Sequence, residues 1–200
     1  AVMSIFDKYF KNEFKDVKVL WFWVHPPGHF HLAKKQVKVA EDLGGLKFRA
    51  ATPMLTNMVK TLGAIPVSIP APDTYTALER GTVDGTIFPW EAISSFKIAE
   101  VLKYHVASGL YVAPLFTFMN IKKYESLPPD LRKVIDDHSG TWGAEFNGKI
   151  WDANELVGIE AIKKAGGQIY TLPAEERARW AAKLKPVEEE WLKSMEAKGL

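Results

Sequence analysis

The chain has 200 residues, of which 47% are hydrophobic and 25% are charged, an ordinary balance for a globular protein of one large or two small domains. Its 26 basic and 24 acidic residues leave a net charge of +2, which is too small to favour nucleic-acid binding. The absence of cysteine excludes disulfides and thiol catalysis, and no apolar stretch reaches the length of a membrane span.

The first half of the sequence alternates helical and strand patterns. Apolar residues at helical spacing predict a helix over residues 1–15, and the apolar run at 17–24 predicts a strand covered on both faces. Residues 25–29, "HPPGH", are predicted as a loop, and Thr52-Pro53 marks a helix start. The patterns that follow predict a strand over 64–70, a helix over 72–81, a strand over 85–89 and a helix from Trp90.

The second half continues the alternation. Residues 105–121 are predicted to be rich in strand, and a helical pattern then runs from Pro128 to Lys164. Its predicted buried side comprises Leu131, Val134, Ile135, His138, Trp142, Phe146, Ile150, Leu156 and Ile159. A strand over 166–172 and two helices, opened by Pro173 and Pro186, complete the chain. The alternation predicts an α/β fold with a largely parallel sheet, which binds ligands at the carboxyl ends of its strands.

Arg49 stands at the end of the strand pattern "GLKFR", directly before the predicted helix start at Thr52-Pro53. A guanidinium there can bind a carboxylate through two charge-assisted hydrogen bonds, and the amides of the neighbouring helix favour the same anion. A salt bridge to a nearby Asp or Glu fits the spacing equally well. The residues alone therefore leave both interpretations open.

The segment "GTVDGTIFPWEA", residues 81–92, lies one strand–helix unit further along. Phe88 ends the predicted strand, so its side chain, together with those of Trp90 and Glu91, can face the same cleft as Arg49. Core packing explains the two aromatic residues as well, and Glu91 at a helix N-terminus also complements the helix dipole. The segment is thus a candidate for ligand wall or for core.

Three histidines, His25, His29 and His31, lie within seven residues. Zinc binds such side chains, and Glu91 or Asp84 can complete a site. The segment has no HExxH helix and no second ligand cluster, however, and the chain has no nucleophile elbow, Walker loop or dinucleotide fingerprint. A metal-dependent hydrolase is therefore the alternative of a different class, while a loop of hydrogen-bonded imidazoles is the simpler interpretation.

Three stretches, in this order, carry a family resemblance: "EDLGGLKFRAATP", "LGAIPVSIPAPDTYTALERGTVDGTIFP" and "YESLPPDLRKVIDD". They resemble the DctP-type solute-binding proteins of TRAP transporters, the tripartite ATP-independent periplasmic transporters. The most specific text lies at 43–49, 62–70 and 75–85, and the likeness covers nearly the whole chain. It implies a periplasmic-binding-protein-like (type II) α/β fold whose two lobes, joined by strand crossovers and a long helix, close around a ligand.

The resemblance also implies roles for single residues. The arginine that pairs with the ligand's carboxylate in this family corresponds to Arg49, and the segment that lines the pocket corresponds to Phe88, Trp90 and Glu91. Many members carry Asn-Pro after "VDG", where Phe88 precedes the proline here. Many also carry an arginine in the loop after the first strand, and His29 stands near that place. A more aromatic, less polar pocket is therefore expected, with His29 as a candidate polar contact.

The resemblance divides the chain into two lobes. Residues 1–25 and 114–154 correspond to a remnant of the first lobe with the start of the bridging helix, and residues 26–113 and 155–200 correspond to the second lobe. Family members begin with further strand–helix units, so the first lobe is expected to be incomplete. Because a sheet without its first strands exposes edges and apolar surface, we expect self-association or element swapping. A single monomeric species in sedimentation would contradict this expectation.

The expected function is non-catalytic capture of a small organic anion for delivery to the TRAP membrane permease. The ligand is expected to be a carboxylate, with an aromatic body as the more specific hypothesis, and no cofactor, metal or nucleic acid is expected to take part. The implied location is the periplasm, although residues 1–10 lack a signal-peptide pattern. The alternative function remains the metal-dependent hydrolase built on His25, His29 and His31.

Overall fold

The computed structural model describes residues 2–199, apart from the side chains of Val2 and Asp7. The chain forms two compact units, Ala1–Pro26 with Val112–Asn154 and Pro27–Tyr111 with Glu155–Leu200. The assignment of these stretches to the two lobes of a binding protein stays a prediction.

The helices and strands have the following bounds. The helices are α1 (Val2–Tyr9), α2 (Pro53–Thr61), α3 (Thr74–Glu79), α4 (Trp90–Ser95), α5 (Ile121–Glu125), α6 (Pro129–Asp137), α7 (Gly140–Lys164) and α8 (Ala174–Glu196). The strands are β1 (Val17–Val24), β2 (Gly28–Leu32), β3 (Lys47–Arg49), β4 (Ile65–Val67), β5 (Gly85–Phe88), β6 (Tyr104–Tyr111), β7 (Pro114–Asn120) and β8 (Gln168–Thr171).

The first unit is built on the antiparallel pair of β1 and β7. Phe22 is the buried residue of β1, and the aromatic rings around it belong to Phe6, Phe14 and Phe116 at centroid distances of 5.4–5.6 Å. The other residues of β1 are half-buried or exposed, so the expectation that this strand is covered on both faces is wrong for the described residues. A two-stranded ribbon offers too little surface to bury both sides of a strand.

The second unit contains a six-stranded sheet in the order β4-β3-β5-β2-β6-β8. β3 is parallel to β4 and β5, and β6 is parallel to β8. β2 is antiparallel to both of its neighbours, β5 and β6, so five strands point one way and β2 points the other. The sheet is thus largely parallel, as predicted, with β2 as the one exception among its six strands. As a result, the first residues of β2 lie beside the carboxyl ends of β5 and β6, where the sequence predicts the ligand.

Apolar clusters cover both faces of this sheet. One contains Phe30, Phe48 and Trp180, each fully buried, and the other contains Phe88 and Trp90. Each large side chain that is buried in this way contributes about 1.5–3 kcal/mol to folding. The two faces follow from the two-residue period of the strands.

Several predicted boundaries differ from the observed ones. The helix predicted over 1–15 ends at Tyr9, and the segment predicted as a loop over 25–29 contains the start of β2 at Gly28. The helical pattern from Pro128 forms two helices, α6 and α7. Gly140, at the junction between them, adopts a positive φ of 63° that a continuous helix does not allow. Pro186 lies inside α8 and does not open a new helix, although an interior proline removes one helical hydrogen bond and crowds the preceding turn.

The apolar side predicted for the helical pattern from Pro128 is largely exposed in the described structure. The exposed apolar members are Leu131, Val134, Trp142, Phe146, Ile150 and Leu156, with 42–66% of their surface accessible, and His138 is exposed as well. Helical spacing predicts an apolar stripe, and it does not determine what covers that stripe.

Candidate functional site

The candidate residues meet at one edge of the six-stranded sheet. Arg49 ends β3 and Phe88 ends β5, while His29 is the second residue of β2. His29 is directly opposite Phe88 in the antiparallel pair, and Arg49 is opposite Thr86 in the parallel pair. Because β2 runs against its neighbours, its N-terminal residues join an edge otherwise made of carboxyl strand ends. Such edges are where open α/β sheets bind ligands.

Arg49 is a buried cation, with only 5% of its surface exposed. Its Nε donates a hydrogen bond of 2.9 Å to the carbonyl of Ile69, and its guanidinium carbon lies 4.5 Å from the centroid of the Phe88 ring. No carboxylate among residues 2–199 lies within ion-pair distance of it. Burial lowers the pKa of Arg49 below its ordinary value, yet an arginine remains charged at neutral pH. The internal salt bridge that the sequence left open is therefore not formed in this part of the chain.

Phe88 and Trp90 are both 7% exposed and belong to the apolar cluster on one face of the sheet. The Phe88 ring stacks on Phe96 with centroids 5.4 Å apart, and the Arg49 guanidinium lies over the Phe88 ring. Trp90 stacks on His29, with ring centroids 4.3 Å apart and planes inclined by 27°. The two aromatics thus combine core packing with contacts to the polar groups of the edge.

His29 is a neutral side chain at physiological pH. Burial and, to a smaller extent, the charge of Arg177 lower the pKa of His29 to about 4. Its Nδ1 accepts a hydrogen bond of 3.2 Å from the backbone N–H of Gly109. The proton of the neutral ring therefore lies on Nε2, which makes this nitrogen a hydrogen-bond donor. His29 can donate to a polar group of a ligand, and it does not supply a second positive charge.

Glu91 is buried, but its carboxylate faces its own helix. One carboxylate oxygen accepts a hydrogen bond from Ser95 Oγ, one turn further along α4. Its backbone N–H donates to Glu155 Oε1 at 2.8 Å, which places a second carboxylate at the start of α4. The structure therefore brings Arg49, Phe88, His29 and Trp90 together, while the Glu91 side chain is committed to Ser95.

A buried pair of imidazoles is hydrogen-bonded to the backbone of this edge. His31 and His105 are fully buried, and their Nδ1 atoms lie 2.8 Å apart. His31 Nε2 lies 3.0 Å from the carbonyl of Phe88. A carbonyl only accepts, so His31 carries its proton on Nε2, and the proton between the two rings belongs to His105 Nδ1. The backbone of Phe88 is thereby hydrogen-bonded through His31 to β6.

The histidines of the predicted metal cluster bind backbone and side-chain groups of the protein. His25 Nδ1 lies 2.5 Å from the Pro26 carbonyl, and its Nε2 accepts the Ala113 N–H at 3.0 Å. His29 and His31 have the partners given above. Across residues 2–199 no three His, Cys, Asp or Glu side chains are grouped so that they can hold a metal ion. The hydrolase alternative is therefore not favoured.

Tyr111 is a residue of this edge that the sequence did not indicate. It ends β6, is paired with Gly28 across the sheet, and its hydroxyl donates to the Ile87 carbonyl at 3.3 Å. Burial raises the pKa of Tyr111 above its usual range, and the positive charge of Arg49 opposes this rise without overcoming it. Only the register of the sheet places residue 111 beside residue 28, so no local pattern marks it.

Comparison with solved structures identifies close structural relatives. A TRAP solute-binding protein from Rhodoferax ferrireducens, solved with copurified benzoate, is 39% identical with a TM-score of 0.94; the match covers 99% of this chain and 63% of that one. A TRAP solute-binding protein of an unidentified marine microbe, specific for aromatic acid ligands and solved with metahydroxyphenylacetate, is 36% identical with a TM-score of 0.93, covering 100% of this chain and 64% of that one. These likenesses confirm the predicted periplasmic-binding-protein-like α/β fold.

A relative known by function is the C4-dicarboxylate-binding periplasmic protein DctP of Rhodobacter capsulatus. It is 30% identical over 184 residues, which amount to 90% of this chain and 54% of the relative. The chain thus spans about half the length of the curated relatives it matches. The described residues include no helix that is long and apolar enough to cross a membrane.

The family model of the bacterial extracellular solute-binding proteins matches residues 5–194. This is a family of binding proteins and not of enzymes, and the match includes the predicted site residues and nearly all elements of both units. The chain therefore belongs to the DctP family, the bacterial extracellular solute-binding proteins of family 7.

Proposed function

We propose that this chain captures a small organic carboxylate through Arg49, as part of the substrate-binding component of a TRAP transporter. One observation carries the proposal: a buried guanidinium at the carboxyl end of a strand has no carboxylate partner among the described residues. An isolated buried charge is costly unless it is paired. A ligand carboxylate supplies that pair, and the planar guanidinium fits it with two parallel hydrogen bonds.

The chemistry around Arg49 supports an aromatic acid as the ligand. Phe88 lies directly against the guanidinium, Trp90 stacks on His29, and His29 is neutral at physiological pH. Aromatic walls with a few fixed polar groups are typical of sites for flat, largely apolar molecules. Two similar proteins of known structure were solved with benzoate and metahydroxyphenylacetate, and this chain is proposed to share that class of ligand. Trp90 and His29 complete the proposed wall of the site. Glu91 is included in the proposed site for its position at the start of α4, since its carboxylate is bonded to Ser95.

The proposed setting follows from the family. DctP-family proteins are extracellular solute-binding proteins, and the relative from Rhodobacter capsulatus is periplasmic. We place this chain in the periplasm as well, where it would pass its ligand to the TRAP membrane permease subunits. Neither a cofactor nor a metal ion is part of the proposal.

Substitution of Arg49 tests the proposed function. Arg49→Ala removes the cation that faces the Phe88 ring, and loss of one partner of a buried charge pair costs about 2–5 kcal/mol, which is roughly thirtyfold or more in affinity. Isothermal titration calorimetry with benzoate measures the change in affinity. Arg49→Lys keeps the charge and loses the planar fork, so its benzoate affinity is expected to lie between those of the unmodified protein and Arg49→Ala.

Arg179→Ala is the matched control, because Arg179 is an exposed arginine that is already paired with Glu41 and Glu176. Its removal should leave benzoate affinity unchanged. A folded Arg49→Ala protein that binds benzoate as tightly as the unmodified protein would remove Arg49 from the anchor role.

A further inference from the structure

His29 lies on the same face of the six-stranded sheet as Arg49 and Phe88. Side chains alternate between the two faces along a strand, and the chain neighbours of these three residues belong to the apolar cluster of the opposite face: Phe30, Phe48 and Ile87. Phe88 is paired with His29 across the sheet, and its ring lies against the Arg49 guanidinium. The two polar side chains therefore flank one aromatic ring on one face.

The ring nitrogens of His29 point to different strands. Its Nδ1 accepts the backbone N–H of Gly109 on β6 at 3.2 Å. A nitrogen that accepts carries no proton, so the ring is neutral and its proton lies on Nε2. β2 lies between β6 on one side and β5 and β3 on the other. Because the two nitrogens point away from each other across the ring, the Nε2–H is directed to the side of Phe88 and Arg49.

This N–H is a free donor in the part of the chain that the structure describes. The hydrogen bond of His29 to another residue there is the one at Nδ1, and the Nε2 atom is not sealed from solvent. The neighbouring His31 differs, because its Nε2 lies 3.0 Å from the Phe88 carbonyl. The site thus offers a ligand two separate polar groups, the Arg49 cation and the neutral donor of His29.

The separation of the two groups limits where a ligand can carry its second polar atom. Arg49 and His29 belong to strands with β5 between them, which are about 9.6 Å apart in the sheet. A carboxylate bound at Arg49 therefore leaves the far part of an aromatic ring near His29. An oxygen next to the carboxylate does not reach that position.

The charges around His29 favour a neutral oxygen there. Arg177, the cation on the β6 side, donates its Nε and Nη2 hydrogens to the carbonyls of Ser108 and Gly109 at 2.9 and 3.1 Å. A second carboxylate at the His29 Nε2 would lose its hydration in return for one hydrogen bond to a neutral donor, and the loss exceeds the gain. A hydroxyl or carbonyl oxygen loses much less hydration on binding.

We propose that His29 is a specificity-determining residue of the carboxylate site, and that its Nε2–H selects an aromatic monocarboxylate with a hydroxyl or carbonyl oxygen on the part of the ring away from the carboxylate. This inference rests on the proposed function and narrows its class of ligand. Benzoate covers the donor without pairing it, which costs free energy.

Three related ligands test the inference: benzoate, 3-hydroxybenzoate and benzene-1,3-dicarboxylate, each titrated calorimetrically. The unmodified protein is expected to bind 3-hydroxybenzoate about fivefold more tightly than benzoate, which is the scale of one neutral hydrogen bond, and the dicarboxylate more weakly than benzoate. His29→Phe keeps a ring against Trp90 and removes the donor, so the ratio of the first two affinities should fall to about one. His29→Gln keeps an N–H donor and should retain part of the preference.

His138→Phe is the matched control, because His138 is an exposed histidine of the other unit whose Nδ1 lies 2.7 Å from the Val134 carbonyl. It should leave the ratio unchanged, and melting without ligand shows that each variant is folded. Benzoate binding by the unmodified protein with no preference for 3-hydroxybenzoate would overturn the role of His29 alone, as would an unchanged ratio in folded His29→Phe protein or tighter binding of the dicarboxylate. If the unmodified protein binds none of the three compounds, the proposed function itself fails, and the inference fails with it.

Discussion

The backbone and the side chain of Phe88 contact different residues. The ring lies against the Arg49 guanidinium, whereas the carbonyl lies 3.0 Å from His31 Nε2. His31 is in turn hydrogen-bonded to His105. Because the carbonyl can only accept, His31 must carry a proton on Nε2, and the single proton between the two Nδ1 atoms excludes a charge on both rings at once; burial keeps both rings neutral at physiological pH. The position of Phe88 is thus tied to the protonation state of two buried histidines.

These histidines predict a loss of stability in mild acid. Burial lowers the pKa of His105 to about 4, and burial and then the neighbouring His105 hold the pKa of His31 well below its usual range. The unfolded chain takes up these protons near pH 6.5, but the folded chain does not. The stabilisation is therefore complete above about pH 6.5 and is lost progressively as the pH falls towards 4.

Urea unfolding at pH 7.5, 6 and 5 measures this effect. Each histidine with a lowered pKa is expected to remove at most about 1.4 kcal/mol of unfolding free energy per pH unit. His105→Gln should show a shallower decline than the unmodified protein, because one such group is gone. Equal unfolding free energies at pH 7.5 and pH 5 would contradict the assignment of neutral, buried imidazoles.

Among the elements, α7 is the helix that fixes the start of α4. A Cβ atom built on Gly158 would lie 1.9 Å from the carbonyl oxygen of Trp90, and one turn earlier Glu155 accepts the N–H of Glu91. The two helices therefore approach as closely as the backbone allows, and this approach holds Trp90 against His29.

Gly158→Ala is expected to destabilise the protein by about 1–2 kcal/mol. Overpacking costs about 1–3 kcal/mol, and the better helix propensity of alanine returns about 0.5–1 kcal/mol. Gly148→Ala is the matched control, since Gly148 lies on the same helix with nothing within 4 Å of the added Cβ, and it should be neutral or slightly stabilising. Urea midpoints measure both, and a stabilising effect of Gly158→Ala would show that the contact with Trp90 is not close.

Local chemistry made some element boundaries of the second unit predictable. Thr52 accepts from the Leu55 N–H and Pro53 follows as the first helical residue, so the end of β3 at Arg49 could be placed from sequence. The orientation of β2 could not be predicted from sequence, because it depends on which strands β2 pairs with. The proximity of Tyr111 to Gly28 could not be predicted either, because only the sheet register brings them together. The exposed side of α7 was missed because periodicity describes a stripe and not its surroundings.

At the scale of the whole molecule, family membership and fold agree with the resemblance read from the motifs, whereas ligand and partners are proposals. Self-association also stays a prediction. Apolar side chains of the first unit such as Phe118, Trp142 and Phe146 are about half exposed, which is the surface on which that prediction depends.

The central claim is that the buried guanidinium of Arg49 receives the carboxylate of an aromatic acid. A crystal structure of the protein with benzoate tests it most directly. Both carboxylate oxygens are expected at about 2.7–2.9 Å from Arg49 nitrogens, with the benzoate ring against Phe88. Benzoate bound with its carboxylate on another cation, and Arg49 without an anionic partner, would contradict the account.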